Sequence, residues 1–178
     1  MRNYLAVVLL FGLISCNNTD QKSAGNLNKD STSKVDVKSQ VIALKDSKVQ
    51  AIYDGYIGLK NALVQTKFGA AQQAAAALKT DLAAYKGCES TALTAGEIAV
   101  AKDIKTQRKA FTSLSADVIA LFKHADISKG SIFVQHCPMA NNGDGGDWLA
   151  TEKKIQNPYY GEEMMDCGRV VEEIKSGK

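Results

Sequence analysis

Between Val49 and Leu121 the apolar residues recur at separations of three and four, a rhythm that a helix turns into a continuous face. Val49, Ile52, Tyr56, Leu59 and Leu63 make one stripe, and Ala71, Ala75, Leu78, Leu82 and Tyr85 make a second, on a helix expected from about Phe68 to Tyr85. Phe111, Leu114, Val118 and Leu121 make a third, on a pattern that runs to about Lys123. Only two prolines occur in 178 residues and alanine is abundant, so helix is the favoured element. Gly55 and Gly58 weaken the first helix, each by ~1 kcal/mol relative to alanine, but suit close packing. The run Ala74–Ala77 also lets a neighbour approach, and Gly87 suits a helix C-cap. Thr94 with Glu97 three residues on reads as a capping box that opens the next helix. The polar run Lys105–Lys109 is either a solvated face or a break between two helices. His124 reads as a surface residue at a helix end, where a cation suits the dipole. Three or four amphipathic helices with short loops imply an all-α fold, an antiparallel three- or four-helix bundle over residues 43–178.

After Gly130 the character changes to an irregular tail carrying a short strand or hairpin. Ile132-Phe133-Val134 is β-prone. The stretch Asn141–Asp147 is turn-rich, and it lacks the acidic spacing and terminal glutamate of an EF-hand loop, so it reads as a solvated turn. Asn157-Pro158-Tyr159-Tyr160-Gly161 is a further turn. One helical turn is expected over Glu162–Asp166, ended by Gly168, and a last short helix is expected to use Val170, Val171 and Ile174.

The other end of the chain has a different logic. Arg2 precedes an apolar run from Tyr4 to Ile14, about half the roughly 20 residues that a membrane-spanning helix needs. This is the pattern of a signal peptide. Leu13-Ile14-Ser15-Cys16 resembles the lipobox of bacterial lipoproteins, which implies cleavage before Cys16 and a diacylglycerol on its sulfur. Acyl chains contribute ~0.8 kcal/mol per buried methylene, so they hold a protein to a membrane. Asn17 favours an outer-membrane destination in a two-membrane cell. Residues 16–42, rich in Asn, Ser, Thr, Asp, Gln and Lys, read as a flexible tether. The formal net charge is +3, and loss of Arg2 leaves +2. That balance, without a basic stripe interleaved with aromatics, gives no reason to expect nucleic acid as a partner.

With Cys16 assigned to lipid, Cys88, Cys137 and Cys167 remain, an odd number in an oxidising compartment. His136, Cys137 and Met139 lie within four residues, and Met164, Met165 and Cys167 within another four. Thiolates and thioethers select Cu(I) and similar soft ions. Pro138 fixes the backbone between Cys137 and Met139 and displays both from a rigid bend. The alternative is a structural disulfide between Cys137 and Cys167, with Cys88 left free. No hydrolytic constellation is present: neighbours on a strand face opposite ways, so His136 is not placed to activate Cys137. No enzyme is expected.

Gln107-Arg108 with Phe111, Leu114-Ser115, Cys137-Pro138-Met139-Ala140, Trp148-Leu149, Asn157-Pro158-Tyr159-Tyr160-Gly161, Met164 and Cys167-Gly168 together carry a resemblance. They are similar to an uncharacterised bacterial domain of unknown function, found alone in exported proteins and fused to CusB-like periplasmic adaptors of heavy-metal efflux pumps. The resemblance implies handling of copper or another heavy metal, and a heavy-metal efflux adaptor as partner. Carried over residue by residue, it points to Cys137, Met139, Met164 and Cys167, with His136 and Met165 secondary. The expected cargo is Cu(I) or Ag(I). The competing expectation is a periplasmic interaction module without metal, stapled by the Cys137–Cys167 disulfide, that docks a protein through Trp148, Tyr159 and Tyr160.

Overall fold

The structure is a computed structural model that describes residues 41–175. The expected signal peptide, Cys16 and the tether up to residue 40 lie outside the described residues, as do residues 176–178. At the end of the expected tether Ile42 is buried in the core, and strand β1 (Ala43–Leu44) follows.

Four helices follow, each packed on its predecessor: α1 (Ser47–Val64), α2 (Phe68–Ala83), α3 (Glu89–Val100) and α4 (Ile104–Phe122). Asp46 caps α1 by accepting the Lys48 N–H at 2.7 Å and the Val49 N–H at 3.3 Å. All five residues of the first stripe are buried, as are Ala71, Ala75, Leu78 and Leu82 of the second. Gly55 faces Leu78, whose Cδ1 lies 3.4 Å from where a Cβ would stand, while Gly58 faces open space. Only the first of these glycines therefore serves helix packing.

Two helix starts differ from expectation. Thr94 does not open a helix, because α3 begins five residues earlier, at Glu89, behind Gly87 at φ +94° and Cys88. Glu89 bends back to accept the Gly87 N–H at 3.0 Å, and Thr94, inside the helix, donates to the Ser90 carbonyl. The break before α4 falls at Ala101–Asp103, and Lys105–Lys109 is part of its opening turns. Asp103 caps it, accepting the Thr106 N–H at 2.6 Å.

The tail is more ordered than an all-α fold allows. The chain is mostly helical with two small antiparallel sheets. Strand β2 (Ile127–Lys129) pairs with β1. Strands β3 (Ser131–Cys137), β4 (Gly146–Ala150) and β5 (Arg169–Lys175) form a sheet in the order β4-β3-β5. The helix expected around Val170, Val171 and Ile174 is β5. Seven residues with two adjacent valines favour a strand, and the free edge of β3 supplies the backbone partners that a short helix would have to find within itself.

The sheet lies on the helices through β4. Trp148, Leu149 and Ala150 are buried, and the Trp148 indole donates to Gln135 Oε1 at 2.8 Å. Tyr159 stands between the layers, with ring centroids 5.8 Å from Phe111 of α4 and 6.1 Å from Trp148. Trp148 and Tyr159 are therefore core residues, not the exposed docking aromatics expected from the sequence. Among the described residues no helix is long and apolar enough to cross a membrane.

Lys60 of α1 is 1% exposed. Burial pushes its ammonium below the usual lysine range, and the nearby Glu152 carboxylate partly offsets this. The unfolded chain holds that proton up to the ordinary lysine range, so between the two values unfolding takes up a proton and stability rises with pH. Denaturation at pH 7.5 and pH 10 should show wild type gaining on Lys60→Met as pH rises. A gap that stays constant would mean that Lys60 keeps an ordinary affinity for its proton.

Candidate functional site

Strand β3 ends at Cys137, opposite Gly146 on β4. Pro138 and Met139 turn the chain away, and the loop from Ala140 returns it to β4. Asn141 closes this loop: its Nδ2 donates to the Gly145 carbonyl at 2.8 Å, and its Oδ1 accepts from Thr112 of α4 at 3.0 Å. A Cβ on Gly146 would lie 2.6 Å from the Tyr159 ring, so the close approach of strand and ring requires glycine here.

Cys167 arrives from the far side of the tail, just ahead of β5. Its sulfur lies 2.7 Å from that of Cys137. Cys137 is fully buried, whereas Cys167 is half-buried. Gly168 lets them meet. Its φ is +144°, and a Cβ there would stand 2.8 Å from the His136 carbonyl oxygen and 3.0 Å from Trp148. Hydrogen bonding to Cys137, then burial, raises the Cys167 thiol above the ordinary cysteine range, while the Met139 backbone N–H opposes the shift.

The Asn-Pro-Tyr-Tyr-Gly turn braces this pair. Asn157 is fully buried; its Nδ2 donates to the Cys167 carbonyl at 2.9 Å, and its Oδ1 accepts the Tyr159 N–H at 2.8 Å. Its own N–H donates to the Met165 carbonyl at 3.0 Å. The Tyr160 hydroxyl donates to the Met139 carbonyl at 2.5 Å, and that of Tyr159 to the Asp147 carbonyl at 2.9 Å. Arg108 ties the turn to the helices, donating to the Pro158 carbonyl at 2.9 Å, the Leu63 carbonyl at 3.1 Å and Thr66 Oγ1 at 3.0 Å. Sequence spacing marked this segment only as a turn; the Asn-Pro pair was the available signal of its bracing role.

The structure gathers some of the expected residues and separates others. Met139 lies one residue beyond Pro138 and is exposed. Met164 ends the short turn Gly161–Met164, and its carbonyl accepts the Cys167 N–H at 3.1 Å. Met165 contributes its carbonyl to Asn157. His136 points to the other face of β3, where Nδ1 meets Asp147 Oδ1 at 2.8 Å. Cys88 sits buried ahead of α3, where burial and then the Glu89 and Asp117 carboxylates raise its thiol. Among the described residues no group of three or more His, Cys, Asp or Glu side chains is placed to hold a metal ion. Sulfur from methionine would have to complete any such site.

Residues 52–130 match the family model described as a protein of unknown function (DUF3347). The helical part is thus similar to an uncharacterised domain. The match runs from Ile52, within α1, through β2, more of the helices than the motif resemblance covered, and Gln107, Arg108, Phe111, Leu114 and Ser115 lie within it. It ends at Gly130, ahead of the Cys137 and Cys167 segments. No curated protein and no solved structure matches the chain.

Two outcomes follow from this geometry. Asn157→Ala removes a buried amide that satisfies the Tyr159 N–H and the Cys167 carbonyl, and should lower stability by roughly 1–3 kcal/mol in denaturant titration; an unchanged midpoint would remove Asn157 from the brace. Because the thiolate of Cys167 is disfavoured, its iodoacetamide alkylation should inflect at a higher pH than that of a free cysteine. Cys137→Ala should bring the inflection down. Coincident profiles would show that the Cys137 thiol does not act on Cys167.

Proposed function

We propose that this protein is an exported lipoprotein, anchored through Cys16 to the outer membrane, that binds a soft heavy-metal ion and holds it for buffering or for handover to an efflux adaptor. Cu(I) is the ion of choice, with Ag(I) its nearest substitute. Cys137 and Cys167 supply the thiolates, and Met139 and Met164 the thioethers. The ion is held and passed on unchanged, and this role calls for no enzymatic step.

The convergence of Cys137 and Cys167 from 30 residues apart carries this reading. Two soft donors meet on a braced seam, one of them open to solvent, with a methionine adjoining on each segment. The fit asks for a small movement. A metal–sulfur bond of about 2.3 Å, as in zinc thiolates, sets two sulfurs roughly 3.8 Å apart at a tetrahedral angle. Opening from 2.7 Å falls to the half-buried Cys167 on its turn, since Cys137 is locked in β3. His136, engaged with Asp147, and Met165 remain secondary.

The same distance favours a second reading, the interaction module with a structural disulfide, because a bond of about 2.05 Å needs a small closure instead. The burial of Trp148 and Tyr159 takes away the docking surface first expected for that module. Titration of Cu(I) into the reduced protein, against a competing chelator, separates the two. Wild type should bind one ion, and a Cys137→Ser/Cys167→Ser variant should bind at least about tenfold more weakly, a loss of 1.4 kcal/mol or more. Equal affinities would end the metal reading.

A further inference from the structure

Cys137 and Cys167 differ in one respect that neither a metal site nor a permanent staple requires: solvent reaches only one of them. Cys137 is fully buried at the end of β3, and Cys167 is half-buried on the turn ahead of β5. Their sulfurs are 2.7 Å apart, so anything attached to the outer sulfur is within reach of the inner one. The third described cysteine, Cys88, is buried at the start of α3 and takes no part.

We infer that the pair is a directional thiol–disulfide exchange centre for small-molecule disulfides, in which Cys167 is the thiol that meets the disulfide and Cys137 is the thiol that resolves it. In the first step the Cys167 thiolate attacks one sulfur of a disulfide RSSR. The S–S bond of RSSR breaks, a Cys167–S–SR bond forms, and the departing RS⁻ takes up the proton that Cys167 gave to solvent. In the second step Cys137, having lost its proton, attacks the Cys167 sulfur. The Cys137–Cys167 bond forms and the second RS⁻ leaves to be protonated. The protein dithiol loses two electrons and RSSR becomes two RSH. Reduction runs the same path backwards, with an incoming thiolate attacking the reachable Cys167 sulfur.

The order of events follows from access, because exchange needs an approach to the attacked sulfur as well as a thiolate. The Cys137 side chain is fully buried, so a disulfide cannot reach it without local opening. Cys167 can be reached, and the Asn157 and Gly168 contacts that hold it against β3 keep the resolving sulfur beside it. One consequence rests on the metal reading above: the disulfide consumes both thiolates, so oxidation switches metal capture off and reduction restores it. The exchange itself does not depend on that reading.

The test uses the full chain with Cys16→Ser, reduced, kept metal-free with a chelator, and treated with glutathione disulfide. Adducts are located by peptide mass spectrometry after acid quenching. Wild type should form the Cys137–Cys167 disulfide with little lasting adduct. Cys137→Ser should accumulate glutathione on Cys167, and Cys167→Ser should react at Cys137 at least about tenfold more slowly. Early quenching of wild type supplies the same assignment should a variant fail to fold: the first adduct should be on Cys167. A first adduct on Cys137, comparable rates at the two sites, or thiols that survive excess disulfide would each overturn the inference. Cu(I) titration of the oxidised and reduced forms is read separately. Exchange without metal binding would sink only the metal reading, and metal binding without exchange only this one.

Discussion

A strand laid against helices must satisfy backbone groups on the edge that no other strand pairs, because burying an N–H without a partner costs about as much as a lost hydrogen bond. Here that constraint falls on β4, the outer strand beside the helices. Tyr56 meets it by accepting the Leu149 N–H at 3.2 Å on a hydroxyl that also contacts Ser115 Oγ at 2.6 Å. One phenol thus joins α1, α4 and β4. Burial raises its pKa far above the ordinary tyrosine value, so it stays neutral and keeps both its donor and its acceptor roles. Phe111 stacks on the same ring at 5.5 Å, and Tyr159 packs on Phe111, which fixes where the Asn-Pro-Tyr-Tyr-Gly turn sits. The position of the thiol pair follows from this chain of contacts.

Helix stripes were legible because burial on one face leaves a local signature, and Val49 to Leu63 display it without interruption. Helix starts were less so. Thr94 and Glu97 have the spacing of a capping box, but side chains that cap a helix also occur inside one, and the turn made by Gly87 and Glu89 decides the matter from seven residues away. Strand β5 was misread as helix for a related reason. Its seven residues fit either period, and the deciding influence is the open edge of β3, more than 30 positions earlier in the chain. Contacts of that range leave no periodic trace.

The candidate site shows the same division. Cys137, Met139, Met164 and Cys167 stood out by residue type, since sulfur is scarce in this chain and concentrated in its tail. The residues that organise them entered only through the family resemblance, which gave them no role. Asn157 and Gly168 act through a buried amide and through the absence of a Cβ, properties that composition cannot display. Arg108 falls in the polar run Lys105–Lys109, which spacing leaves as either a solvated face or a break, yet its guanidinium serves three acceptors on two separate segments. Its geometry explains why Thr66 tolerates φ +54°: the hydroxyl is held by Arg108 while the Thr66 and Lys67 N–H groups close the end of α1. Trp148 and Tyr159 illustrate the opposite error, in which large aromatics with polar edges suggest a binding surface but find their partners in Gln135 and the Asp147 carbonyl.

What the scaffold gives the two cysteines is an asymmetry of freedom. Cys137 ends β3, paired with Gly146 of β4, and is fully buried, so its sulfur has little room to move. Cys167 follows a short turn, and its backbone is held at the carbonyl by Asn157 and at the N–H by Met164. Its side chain can move outward while its main chain stays in place. From 2.7 Å, inward motion leads to a disulfide and outward motion to a pair of separated thiolates. Both displacements are about 1 Å or less, comparable to a modest change in one side-chain torsion. A buried sulfur beside a movable one is the arrangement that the proposed metal capture and the proposed exchange would each draw on, and hydrogen bonds hold the Cys167 backbone in place for either.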